Sequence, residues 1–202
     1  MQARAILTRH KILESATLLF SDKGLNGVTI DEIAEHAGVN KQRIYAYFKS
    51  KYALFEEVIL NVFEHVELYS QKTVDEAEAH PELMTQIMLR GFLNVHAKHP
   101  TLWRLLAWAN LEGPGCTNAL NMARKKENDR LRQIYAKHVG NDGASFETWL
   151  FTLLAVSCFR FSNELTLNHT LGWNPAKKSF EDKLVKEIEI VFQPSTQGEK
   201  TC

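Results

Sequence analysis

Two helix-start signals, Thr29 and Asn40, flank one helix-stop signal, Gly38, inside the stretch TIDEIAEHAGVNKQRIYAYFKSK at 29–51. Thr29 opens a T-x-x-E box with Glu32, in which each side chain satisfies a free N–H of the other's end of the first helical turn. Gly38 enters the left-handed region cheaply and closes that helix. Asn40 is a good cap for the next one. This punctuation predicts helices over 30–37 and 41–47 joined by a sharp turn, a helix-turn-helix. Ile33, Ala34, Val39, Ile44 and Phe48 supply its miniature core, which leaves Lys41, Gln42, Arg43 and Tyr47 facing outward. Arginine and lysine suit guanine and glutamine suits adenine, and the first turn of the second helix is the part that enters a major groove. Tyrosine hydroxyls and Lys51 can hold phosphates and fix the register. The alternative is a solvated helix pair with no partner, because the pattern alone has many false positives.

The rest of the chain also reads with helical period, and strand-type alternation is absent. Ile12, Leu13, Ala16, Leu19 and Phe20 line one face of a helix over 5–23, with Gly24 as its C-cap. Ser50 caps a fourth helix reaching about residue 72. Pro81 and Pro100 stand at first helical turns, predicting helices over 81–98 and 100–111. Gly113-Pro114-Gly115 breaks the chain before a polar helix over 116–138, which the run at 140–143 ends. Residues 144–168 are apolar nearly all the way round, and Asn174-Pro175 separates them from a last stripe of Phe180, Leu184, Ile188 and Val191 or Phe192. The expectation is an all-α protein of about nine helices. Residues 1–50 form a small three-helix unit, residues 51–193 a larger helical body, and residues 194–202 a flexible tail.

Formal net charge is zero, yet the first 55 residues hold eight basic and five acidic side chains, and the remainder holds 16 and 19. A basic head on an acidic body hints at an anionic partner for the head. Cys116, Cys158 and Cys202 form no CxxC pair, and their odd number argues against a disulfide framework and for a reducing cytoplasm. No signal peptide is visible in MQARAILTRHK, and no segment has the apolar length of a membrane span. The P-loop, GxGxxG, GxSxG and HExxH patterns are all missing.

The pattern Thr29-x-x-x-Ile33-Ala34-x-x-Ala37-Gly38-Val39-Asn40, followed by Tyr45-x-x-Phe48-x-x-Lys51-x-x-Leu54, resembles the DNA-binding signature of the TetR family of bacterial transcriptional regulators. The preceding ILESATLLFSDKGLNGVTI resembles the family's first helix and loop, so the resemblance covers about residues 8–60. It implies a homodimer on a palindromic operator, a small-molecule effector, no cofactor and no catalysis. It also implies that residues 1–50 are a DNA-binding domain and residues 51–193 an effector-binding and dimerisation domain. Carried over by position, Thr29, Tyr45, Tyr47 and Lys51 are phosphate contacts, and Lys41, Gln42 and Arg43 face base edges. Many members carry a small residue where this chain has Gln42, so the operator sequence does not follow from relatives. Arg4, Arg9 and Lys11 read as an unstructured basic start, or as further phosphate contacts.

Beyond the fourth helix the sequence offers candidates without a motif. The helices near 144–168 and 179–192 are the expected halves of a four-helix dimer interface; the alternative places both in the monomer core. Phe92, Trp103, Trp108, Asn110, Phe159 and Asn163 are the candidate effector pocket, since ligand sites are apolar with a few polar groups, although aromatic residues at helical spacing are more often core. Arg160 lies in an apolar run and needs a partner, for which Glu164, one turn on, is the local choice. His96 and His99 are spaced to approach one metal, but no third ligand is evident, so no metal site is assigned. Cys158 reads as a small buried hydrophobe. Two further readings compete: an all-α enzyme built around Glu112 or His96 and His99, and an architectural DNA-binding protein, which would need more positive charge.

Overall fold

The computed structural model describes residues 2–113, 118–138, 144–172, 174 and 177–192. The predicted breaks at 114–115, 140–143 and 175, the tail, Cys116 and Cys202 lie outside these residues. Among the described residues there are ten α-helices, one 3₁₀ turn and no strand. The helices are α1 (Gln2–Lys23), α2 (Ile30–Ala37), α3 (Lys41–Tyr47), α4 (Lys51–Ala79), α5 (Met84–Lys98), α6 (Pro100–Glu112), α7 (Asn118–His138), α8 (Phe146–Ser162), α9 (Glu164–Leu171) and α10 (Lys178–Val191). They divide into two compact units, residues 1–67 with 99–124, and residues 68–98 with 125–202.

In the first unit, the stripe of Ile12, Leu13, Ala16 and Phe20 on α1 is buried with Ile33 and Ile44 of the helix pair and with Leu54, Phe55, Val58 and Ile59 of α4. Phe20 and Phe55 meet edge to face with centroids 5.2 Å apart, the arrangement that ring quadrupoles favour. The sequence assigned α6 to the body, but Leu105 and Ala109 join this core. Arg104 explains the placement: its Nε donates to the Ser21 carbonyl at 2.9 Å and its Nη2 reaches Asp22 at 3.1 Å. Those are acceptors at the carbonyl-rich end of α1, where a cation is favoured. Trp108 of α6 lies over Gly24, whose φ of +72° ends α1. The basic start is helical from residue 2 and not unstructured. Arg9 is tied down, with Nη2 2.5 Å from Glu57 Oε2 and its guanidinium over the Phe48 ring.

The second unit is built on Val74, Ala77, Met84, Met88, Leu89, Leu93, Trp149 and Leu153, closed by Val185 and Phe192. Val74 and Ala77 continue the apolar stripe of α4, which is why that helix runs to Ala79 and not to about 72. The predicted helix over 81–98 begins as a 3₁₀ turn, Pro81–Leu83. Trp149 is fully buried and its indole N–H donates to Thr85 Oγ1 at 3.0 Å. The apolar run at 144–168 is not one helix. Asn163 caps α8 through its N–H to the Phe159 carbonyl, and its side-chain amide donates to the same carbonyl and to Ser162 Oγ. An asparagine that competes this way for backbone groups favours a break, and α9 starts immediately after it.

Candidate nucleic-acid interface

The turn between α2 and α3 is fixed at both ends by local chemistry. Glu32 N–H donates to Thr29 Oγ1 at 3.2 Å while the Thr29 N–H donates to the Glu32 carboxylate at 2.7 Å. Donation from the Thr29 backbone, then from its hydroxyl and from Lys23, draws the Glu32 carboxyl down to about 2 from its ordinary 4.5. Gly38 takes φ +65° and its N–H caps the Glu35 carbonyl. Asn40 Oδ1 accepts from the Arg43 N–H at 2.8 Å, which starts α3. Ile44 is fully buried and Phe48 nearly so, and both belong to the core of the first unit. His36 Nδ1 lies 3.0 Å from Ser15 Oγ and adds a polar tie between α2 and α1.

With Ile44 turned inward, Lys41, Gln42, Arg43 and Tyr45 of α3 are exposed, while Tyr47 is half-buried against the core. Lys51 Nζ donates to the Val28 carbonyl at 2.9 Å, which brings the start of α4 beside the start of α2 and places Lys51 near Thr29. Lys41 Nζ is 2.9 Å from Asp31 Oδ2, and this hydrogen bond holds the ammonium above the ordinary lysine range. Sequence reasoning missed Asp31. The available signal was an acid in the first turn of one capped helix and a base in the first turn of the next, across a turn too tight to keep them apart.

The six candidate effector residues fall in different units. Trp103, Trp108 and Asn110 are on α6 of the first unit. Trp108 packs over Gly24, Asn110 is exposed and bonds the Leu106 carbonyl of its own helix, and the buried indole N–H of Trp103 has no acceptor among the described residues. Phe92, Phe159 and Asn163 are in the second unit. Phe92 packs half-buried on the core, and Phe159 lines an open apolar groove of about 610 Å³ between α8, α9 and α10, shared with Cys158, Leu167, Phe180 and Leu184. Burial pushes the Cys158 thiol upward, with an opposing hydrogen bond from Ser162. Arg160, at the groove, pairs with Glu181 at 2.9 Å and not with Glu164. Burial tends to raise the Glu181 carboxyl, but Lys178 and Arg160 outweigh it and the net shift is downward. Glu112 bonds Asn26, and His96 is buried with its ring against Phe161. No helix among the described residues is long and apolar enough to cross a membrane.

Two capped helices about a left-handed glycine, with a cationic and amide-bearing first turn exposed on the second, define a helix-turn-helix DNA-binding module. Residues 12–58 match the family model described as bacterial regulatory proteins, tetR family. Through this region the chain is similar to the DNA-binding part of TetR family regulators. It is 34% identical over 105 residues to the HTH-type transcriptional repressor SCO4008 of Streptomyces coelicolor, a match covering 52% of this chain and 50% of that one. It is 33% identical over 138 residues to the HTH-type transcriptional repressor NicS of Pseudomonas putida, covering 66% and 58%. The chain thus spans about half the length of these relatives. The fold is similar to that of the TetR family transcriptional regulator PfmR from Thermus thermophilus, with a TM-score of 0.64 at 16% identity over 93% of this chain and 96% of that one.

Proposed function

We propose that this chain is a transcriptional regulator, a repressor that binds a palindromic operator as a homodimer in the cytoplasm and is released by a small-molecule effector. It is not an enzyme on this reading. Residues 1–50 read DNA, residues 51–193 bind the effector and the second copy, and residues 194–202 are a tail. The observation that carries the reading is the exposed first turn of α3, held by the Asn40 cap and the buried Ile44. Gln42 and Arg43 meet base edges there, with Lys41 at the same helix end. Thr29, Tyr45, Tyr47 and Lys51 hold phosphates. The two α3 helices of a dimer enter major grooves about 34–36 Å apart. Both relatives named above are called repressors, which supports the sign of regulation.

Support for dimerisation through 144–168 and 179–192 comes from the second unit, where Phe151, Phe159, Leu165, Ile190 and Val191 are each more than half exposed. A single chain leaves this much aromatic and aliphatic surface in water at a high cost, which a second copy removes. For the effector, the groove beside Phe159 has ligand-like size and apolarity, and the Trp103 indole offers a free donor. An effector acts only through better binding to one of two conformations.

Gel-shift titrations at two salt concentrations test the DNA reading. Arg43→Ala should lose preference for a site selected from random duplexes, while Lys51→Ala should weaken all duplexes and reduce the salt slope by about one. Identical behaviour of the two variants counts against the assignment, as does a monomer by light scattering.

A further inference from the structure

Lys41 stands at the reading end of α3, yet its ammonium is already engaged. The ion pair with Asp31, 2.9 Å long, spans the turn from the first residue of α3 to the first turn of α2. Both side chains are exposed, so burial does not enforce the pair, and its intrinsic strength is small. The surroundings decide its direction. Asp31 comes two residues after Thr29, and the Val28 carbonyl just before Thr29 holds Lys51. Thr29 and Lys51 are the side chains assigned above to phosphates. A carboxylate left bare beside them faces the negative charge of the duplex backbone. If Lys41 moved to a phosphate or a guanine, it would gain one anionic partner and abandon another where an anion is least tolerated. Gln42 and Arg43 are under no such constraint: neither has a side-chain hydrogen bond or ion pair among the described residues.

We infer that Asp31 limits the affinity of this protein for DNA. It keeps Lys41 as its counter-ion, removes one cation from the sequence-independent attraction to phosphates, and leaves base reading to Gln42 and Arg43. The inference rests on the DNA-reading assignment of the previous subsection. Its consequence is a protein that holds random duplex more weakly than its basic residues suggest, which matters because non-specific sites vastly outnumber operators.

The test is a salt series, from about 50 to about 200 mM, on a random-sequence duplex and on a duplex selected from that pool. The proteins are the wild type, Asp31→Asn, Lys41→Ala and the double variant, each checked for an unchanged melting temperature. Each phosphate neutralised adds a slope of about 0.9 in log affinity against log salt, or about 3.5-fold across this fourfold range. Asp31→Asn frees Lys41 for a phosphate, so it should bind random duplex more tightly at low salt and lose about 3.5-fold more affinity across the series. Lys41→Ala and the double variant should both keep the wild-type slope. The inference is overturned if Lys41→Ala alone lowers the slope by about 0.9 while Asp31→Asn leaves it unchanged, since Lys41 then touches DNA directly. A wild type that discriminates between the duplexes but gives that second pattern loses only this inference. A wild type that binds no duplex at low salt loses the DNA reading and the inference together.

Discussion

Replacing Gly24 by alanine tests how the first unit is assembled, because the position combines two separable costs. Its φ of +72° lies in the left-handed region, where a Cβ costs about 1 kcal/mol or somewhat more. A Cβ there would also sit 2.6 and 2.7 Å from Cε3 and Cδ2 of Trp108, well inside the 3.5–4.0 Å at which carbons rest against each other. The indole has little freedom to retreat. Arg104 fixes α6 to the end of α1 on one side, and Glu112 bonds Asn26 on the other. Overpacking of this kind costs about 1–3 kcal/mol, and the reduced freedom of the unfolded chain returns about 0.4–1 kcal/mol. The net expectation is a loss of about 2–3 kcal/mol. Gly38 provides the control, since its φ is +65° but an added Cβ meets nothing within 4 Å. Gly38→Ala should therefore cost only the backbone term less the unfolded-state gain, about 0.5–1 kcal/mol. Urea unfolding followed by far-UV circular dichroism measures both. Trp108→Leu should recover part of the Gly24→Ala loss, as contacting residues couple. If the two glycine variants agree within about 0.5 kcal/mol, or if Trp108→Leu and Gly24→Ala are additive, the described close approach of α6 to α1 is wrong.

The capping box gives a pH signature. Because the Glu32 carboxyl is held at about 2 in the folded protein, against an ordinary 4.5, it contributes stability in full above about 4.5 that is lost as pH falls toward 2. Melting temperature against pH should show this slope and lose part of it in Glu32→Gln, and Thr29→Ala should cost about 1 kcal/mol near neutral pH. Glu181→Ala removes a carboxylate partner of Arg160, which is 8% exposed, and should destabilise the protein by roughly 3 kcal/mol, whereas Arg160→Met with Glu181→Leu should come closer to neutral; chemical denaturation of the second unit checks both. Phe151→Glu puts a charge on the proposed dimer face at a side chain that is 72% exposed in the single chain, so light scattering should show more monomer with an unchanged helical spectrum.

What the sequence determined by itself is everything that local geometry demands. A glycine that must take positive φ, an asparagine or threonine placed to cap free N–H groups, and an apolar stripe with helical period each state their requirement within a few residues. Thr29, Gly38, Asn40 and Ser50 accordingly fixed the helix-turn-helix and the start of α4, and the outward placement of Lys41, Gln42 and Arg43 followed from the inward turn of Ile44 and Phe48, whereas Tyr47, expected outward, packs half-buried on the core. Only the tertiary structure decided the pairings that depend on the route of the chain. Arg160 found Glu181 across two helices and not Glu164 one turn away. Arg104 and Trp108 carried α6 onto α1, far back in sequence. Asp31 claimed Lys41 across the turn. A charge or an indole takes whichever partner folding brings within reach, and no short stretch of sequence records which one that is.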